Sequence, residues 1–341
     1  FRRVLFRSLK DNILFHNVAE MLPVDKPGLL LQRCPEKVRT RLNVKAQGVQ
    51  RVAAGVELRF VMEDGATEIS LSTETDEALP VHVFYGGFIS RAEYSITQQP
   101  TTLTIDGAER VRDLPAAAAG VAGFASTVVR VILPASRVRY HGVKGRIRPP
   151  TREEMPAKTV LFYGTSITQG GCASRPWLTY AAQTARRVGA DAVNLGCSGS
   201  CFCDTAMADY IASRTDWNSA VFCLSVNMVN KGHTLDEFQS RTRYLLDRIS
   251  AAHPEKPVTA FSVLPYFADV LATADARNCK ERADAFRKTL EATVTALNRP
   301  NLSFLHGPEL RPHLDGLTAD LLHPGDYGMM QLAENLAGHL S

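Results

Sequence analysis

Five residues of this chain have the types and spacing that acyl transfer requires. Ser166 sits in GTSITQG, Gly196 in NLGCSGS, Asn227 in LSVNMVN, and Asp320 and His323 lie three residues apart in DLLHPG. Acyl transfer needs a hydroxyl nucleophile, a base to take its proton, a carboxylate to orient that base, and donors preorganised around the developing oxyanion. A serine, a histidine preceded by an aspartate, a glycine amide and an asparagine side chain supply that set. Taken singly, each has an ordinary alternative. Ser166 and its glycines suit a plain strand-to-helix turn, Gly196 can end a strand, Asn227 can cap a helix, and His323 before Pro324 can be a loop histidine among nine in the chain. Their joint placement decides, and that depends on the elements that carry them.

From Thr159 onward, short apolar runs alternate with amphipathic stretches. TVLFY, DAVNL, SAVFCLSV, PVTAFSVL and LSFL read as strands, whereas LTYAAQTARRVG, TLDEFQSRTRYLLDRISAAH, RADAFRKTLEATVTALN and YGMMQLAENLAGHL repeat apolar positions every three and four residues. This alternation predicts parallel βαβ units in a three-layer α/β/α, doubly wound, flavodoxin-like sheet of about five strands. Loops after the strands of such a sheet converge on one edge. Ser166 follows the first strand, Gly196 the second and Asn227 the third, while Asp320 and His323 lie between the last strand and the final helix. GxGxxG and GxxxxGK[ST] phosphate loops are absent, which removes the main support for nucleotide binding.

The first half has a different period. GVELRFVM, TEISLSTE, LPVHVFYGG, AEYSITQ, TTLTID and VVRVILPASRVRYHGVKGRI are short, often alternate in polarity and are separated by turn residues, which predicts an antiparallel, jelly-roll-like β-sandwich. The proline-rich RPPTREEMPAK leads into the second half. The expected division is a sandwich over residues 9–150, a linker over 151–158 and a catalytic domain over 159–341. FRRVLFRS, residues 1–8, looks like the translation of a sequencing adapter, an artefact of genes assembled from environmental DNA, and is set aside.

The second half resembles the SGNH, or GDSL-like, hydrolase family. GTSITQG is similar to that family's first block, NLGCSGS to its second, VNM to its third and DLLHP to its terminal D-x-x-H block, in the family's order across roughly residues 159–341. The sandwich, linker and YGTSITQGG together resemble a two-domain bacterial subset whose relatives include carbohydrate esterases and an acyltransferase. The resemblance implies Ser166 as nucleophile, His323 as general base and Asp320 as its orienting acid, ahead of Asp315 and Asp326. It also implies an oxyanion hole of the Ser166 and Gly196 amides and the Asn227 side chain, with no cofactor and no metal. Two departures stand out: Ser225 occupies the usual glycine of the third block with Met228 after Asn227, and Thr165 occupies the aspartate position of the first.

The expected function is a serine esterase removing short acyl groups, acetyl foremost, from carbohydrate or small-molecule alcohols. A thioesterase or acyltransferase with the same triad is the alternative, and a carbohydrate-binding module with a vestigial hydrolase domain a remote one. Thr165, Arg175, Trp177, Met228, Tyr266 and the Cys201 to Cys203 segment are expected on loops that form pocket walls.

Composition sets the bounds. At 341 residues, with 45% hydrophobic and 22% charged, the chain reads as an ordinary globular protein of two domains. A net charge of +4 with Lys and Arg interspersed among acids does not imply nucleic acid. The longest apolar runs, such as LPAAAAGVAGFA, fall short of the roughly 18 residues of a membrane span. The seven cysteines include a C-x3-C-x-C cluster without a second ligand pair, so reduced, mostly buried thiols of a cytoplasmic protein are expected. Export stays open, since the natural start need not lie within this sequence, and oligomeric state is not legible.

Overall fold

The computed structural model describes residues 8–114, 123–272, 275–311 and 313–340. All but the last residue of the adapter-like segment, and residues 115–122 of the Ala- and Gly-rich run, lie outside these. The chain divides into two compact units drawn from separated stretches: Phe1–Glu36, Gln50–Lys158 and Arg186–Val193 form the first, and Lys37–Val49, Thr159–Ala185 and Asn194–Ser341 the second.

Strand pairing in the first unit is antiparallel. Its organising strand is Glu57–Thr73, which joins two stretches read separately from sequence, GVELRFVM and TEISLSTE. The first half pairs with Ile13–His16 and Val128–Ile132, the second with Thr101–Ile105 and Val138–Arg148. Between the halves Glu63, Asp64, Gly65 and Ala66 are exposed and Gly65 takes φ +61°, so the turn-like residues bend the strand without ending it. Pairing with Val138–Arg148 continues past them through register shifts. Alternate side chains such as Leu58, Phe60, Ile69, Leu71, Val129 and Val131 fill the core, as the period of two predicts. Burial raises the pKa of Glu57, yet Arg130 and Arg59 outweigh it and hold the carboxyl down to about 2.

The parallel sheet contains β1 (Lys158–Gly164), β2 (Ala190–Asn194), β3 (Ser219–Cys223), β4 (Val258–Phe261) and β5 (Leu302–Leu305), in the order β2-β1-β3-β4-β5. β1 to β3, β3 to β4 and β4 to β5 are parallel pairs. β1 and β4 are almost wholly buried, which is why they read as continuous apolar runs. Helices follow where the 3.6-residue period placed them: Tyr180–Arg187, Leu235–Ala252, Lys280–Leu297 and Asp326–Ala337. Thr234 and Glu237 form a reciprocal capping box at the start of the second of these. Sequence reading missed helix Thr205–Ser213, whose consecutive buried residues Ala206–Ala208 and Tyr210–Ala212 blur its period, and ran SAVFCLSV three residues past the end of β3. Among the described residues, no helix is long and apolar enough to cross a membrane.

Candidate active site

The chain order reverses between β1 and its neighbours, so the loops after β1, β2 and β3 open on a crevice at the carboxyl edge of the sheet. Thr165 leaves β1 in an extended conformation and its hydroxyl accepts from the Ile167 amide at 3.3 Å, capping α1, a single turn over Ser166–Gln169. Gly170 ends that turn at φ +104°, where side chains are rarely tolerated, and the Gly170 and Gly171 amides both donate to the Ser166 carbonyl at 2.9 and 2.8 Å. Ser166 is thereby pinned at the first position of a helix, where its amide has no intrahelical acceptor.

Ser166 Oγ lies 2.8 Å from His323 Nε2, and His323 Nδ1 lies 2.6 Å from Asp320 Oδ2. The loop bearing the last two is closed on itself by a bridge between Leu317 and Pro324 and by the Thr318 amide donating to the His323 carbonyl at 2.8 Å. Inside it, Asp320 Oδ1 accepts from the Leu322 and His323 amides at 2.9 and 3.0 Å and from the Thr318 hydroxyl at 2.8 Å. Burial raises its pKa, but the His323 ring and amide, the Leu322 amide and the Thr318 hydroxyl outweigh that and hold the carboxyl well below the usual range. It is a fixed negative charge on the far side of the imidazole. Asp326, one competing carboxylate, heads the final helix and accepts from the Ser174 amide at 2.7 Å.

The expected oxyanion donors are placed less uniformly. A Cβ on Gly196 would fall 2.3 Å from the Gln169 amide nitrogen, so only glycine lets this turn approach α1 so closely. The Gly196 amide itself donates to Asn194 Oδ1 at 2.8 Å, so Asn194 must yield before that amide can serve an oxyanion. Asn227 Oδ1 accepts from the Cys201 amide at 3.1 Å, which orients its Nδ2 hydrogens toward other acceptors.

Ser225 keeps the backbone of the glycine it replaces. Its φ is +107°, it is 1% exposed, and its Oγ has no hydrogen-bond partner among the described residues. Such a conformation costs a residue with a Cβ about 1–3 kcal/mol. Ser225→Gly is therefore expected to raise the free energy of urea unfolding by about 1 kcal/mol or more. An unchanged or lowered midpoint at constant m-value would remove strain from the account of this turn.

Three of the expected wall residues are corrected by burial. Thr165 and Met228 are 0% exposed and Tyr266 is 1%, so they have no surface to offer a ligand. Met228 lies within the short helix Val226–Asn230, which turns it into the core where a loop tip was expected, and Thr165 is spent on capping. Cys201 and Cys203 are likewise buried, and five of the seven free cysteines are inside. Arg175 is exposed and Trp177 half-buried, so both keep surface for a ligand.

One contribution was missed. Lys37–Val49, far away in the chain, belongs to the same compact unit as these loops. Asn43 Nδ2 donates to the Ser200 carbonyl at 3.0 Å and to Asp204 Oδ2 at 2.7 Å. Lys45 Nζ comes within 2.3 Å of where a Cβ on Gly199 would sit, bringing an ammonium beside the turn that begins at Gly196. No local motif marks this segment.

Residues 157–341 match the GDSL-like lipase/acylhydrolase family. Solved structures share the fold along nearly the whole chain. The salicylyl-acyltransferase SsfX3 from a tetracycline biosynthetic pathway superposes with a TM-score of 0.77 at 18% identity, covering 95% of this chain and 93% of its own. A family two carbohydrate esterase from Clostridium thermocellum, in complex with cellohexaose, gives 0.60 at 15% identity, covering 96% and 98%. An acetyl xylan esterase, Est2A, from the rumen bacterium Butyrivibrio proteoclasticus gives 0.56 at 14% identity, covering 97% and 95%. At these identities the likeness is one of fold. Among curated proteins nothing matches.

Proposed function

The chain belongs to the GDSL-like lipase/acylhydrolase family, an ester-hydrolysing enzyme, and on that premise we propose that it removes short acyl groups, acetyl foremost, from a carbohydrate or small polar alcohol. The observation that carries this reading is the continuous hydrogen-bonded line from Ser166 Oγ through the His323 ring to Asp320.

In the proposed cycle Ser166 Oγ attacks the ester carbonyl while His323 Nε2 takes its proton and later returns it to the leaving alcohol. Asp320 accepts from Nδ1–H, which keeps the lone pair on Nε2 and stabilises the imidazolium. The Ser166 amide and Asn227 Nδ2 are the oxyanion donors nearest to readiness, and Gly196 joins them if Asn194 releases its amide. Water then enters, His323 acts as base again, and the acyl-enzyme is hydrolysed.

Loss of one oxyanion donor typically costs about 100- to 1,000-fold in turnover. Asn227→Ala is accordingly expected to lower kcat by that factor with KM within about threefold. A change confined to KM would make Asn227 a ground-state binding residue only. The reading as a whole is tested by following acid release from acetylated sugars and from p-nitrophenyl esters of increasing chain length. Turnover falling steeply beyond the acetyl and propionyl esters is expected, and a preference for long chains removes the short-acyl assignment. Adding alcohols or sugars and separating products distinguishes hydrolysis from transfer to another acceptor.

A further inference from the structure

The loop that follows the nucleophile carries a side chain for which the proposed reaction has no use. Cys172 Sγ, a carboxylate oxygen of Asp320 and a ring nitrogen of His323 all lie within 4.8 Å of one another. Among the described residues no other three His, Cys, Asp or Glu side chains are gathered so closely. The thiol is free and exposed, and its place is set by the loop. Cys172 adopts φ +69° between two anchors, the Gly170 and Gly171 amides on the Ser166 carbonyl and the Ser174 amide on Asp326.

Thiolate, imidazole and carboxylate are the three donor types that Zn²⁺ takes, and three protein ligands with water at the fourth position make an open tetrahedral site. Ligand atoms of such a site stand roughly 3.5 Å apart. Cys172 is exposed and its thiol is free, so it can turn toward the His323–Asp320 pair, and the exposure of Cys172 and Asp320 gives the ion a path from solvent.

We infer that Cys172, Asp320 and His323 form an inhibitory site for Zn²⁺ or another thiol-seeking divalent cation. The inhibitory part rests on the reading of His323 as general base, whereas the binding part does not. On binding, the Cys172 thiol gives its proton to solvent and ligates as thiolate. Asp320 faces Nδ1, so the cation takes that nitrogen, and the single remaining ring proton sits on Nε2, which then faces Ser166 as a donor. The base is lost with Ser166 untouched, and a chelator restores it.

The test uses the full chain in metal-free buffer. Cd²⁺ is titrated while the thiolate-to-cadmium absorption band in the ultraviolet is followed, and Zn²⁺ is titrated against p-nitrophenyl acetate hydrolysis. Expected are a saturable band in the wild type and in Ser166→Ala, its loss in Cys172→Ala, and its retention in Cys279→Ala. Cys172→Ala is also expected to keep hydrolysis within about twofold of wild type while the inhibitory Zn²⁺ concentration rises at least about tenfold. An unchanged band in Cys172→Ala, or equal Zn²⁺ inhibition of that variant and the wild type, overturns the site. Because the cadmium band requires no turnover, a protein that binds the ion but hydrolyses no ester would contradict the esterase reading and leave the metal site standing.

Discussion

Ser166→Ala is expected to lower turnover of p-nitrophenyl acetate by about 10⁴-fold or more. Its unfolding free energy should stay within about 0.5 kcal/mol of the parent. The two halves of this expectation have separate causes. Chemically, an alanine methyl has no lone pair to form the acyl-enzyme, and only the oxyanion donors and substrate binding remain to speed attack by water. Structurally, among the described residues Ser166 Oγ bonds only to His323 Nε2, and the contacts that hold the turn run through its backbone carbonyl. Steady-state rates and urea unfolding on the same preparation measure both. A variant that stays folded and keeps more than a tenth of the activity would place the nucleophile elsewhere.

Asp320→Asn should cost about 10⁴-fold in kcat with little change in KM. The amide can keep its oxygen toward the Leu322 and His323 amides and Thr318, so the loop is expected to retain its shape. The other atom facing His323 Nδ1 then becomes a donor, and two donors cannot share a hydrogen bond. Nδ1 must lose its proton, the ring proton moves to Nε2, and the atom that should take the Ser166 proton already carries one. Asp320→Ala differs usefully: it removes the orienting charge together with the three bonds that shape the loop, so stability and activity should fall together. If Asp320→Asn keeps near-parental kcat, Asp320 is a loop-holding residue and another group orients the base. The wild-type carboxyl sits well below the usual range, so Asp320 stays charged through mildly acidic conditions, and the first loss of activity on acidification belongs to other groups.

Both tests bear on a site whose members were legible as sequence. GTSITQG, NLGCSGS, VNM and DLLHP are local patterns, and the structure brings Ser166, His323 and Asp320 into hydrogen-bonding reach of one another. The pocket walls were not legible. Met228 and Tyr266 were read from their positions after strands, but whether such a residue faces solvent or core depends on how the following turn is packed. At Ser225 the substitution for glycine was visible, while its consequence, a φ of +107° kept in place of a relaxed turn, was not.

The amino-acid sequence by itself determined the class of each half. Hydrophobic period is written by residues two to four positions apart, so alternation marked the antiparallel strands and the switch to runs and 3.6-residue repeats marked the parallel sheet. It also determined which residues could do chemistry, because a nucleophile, a base and an acid are properties of side chains. Tertiary structure alone decided where those side chains point and what else reaches them. The Gly196 amide is engaged by Asn194, Asn43 and Lys45 join the catalytic unit from far away in the chain, and Cys172 stands beside the His323–Asp320 pair. Each of these follows from close packing and loop closure between residues that are not neighbours in the chain, and no local pattern encodes such contacts.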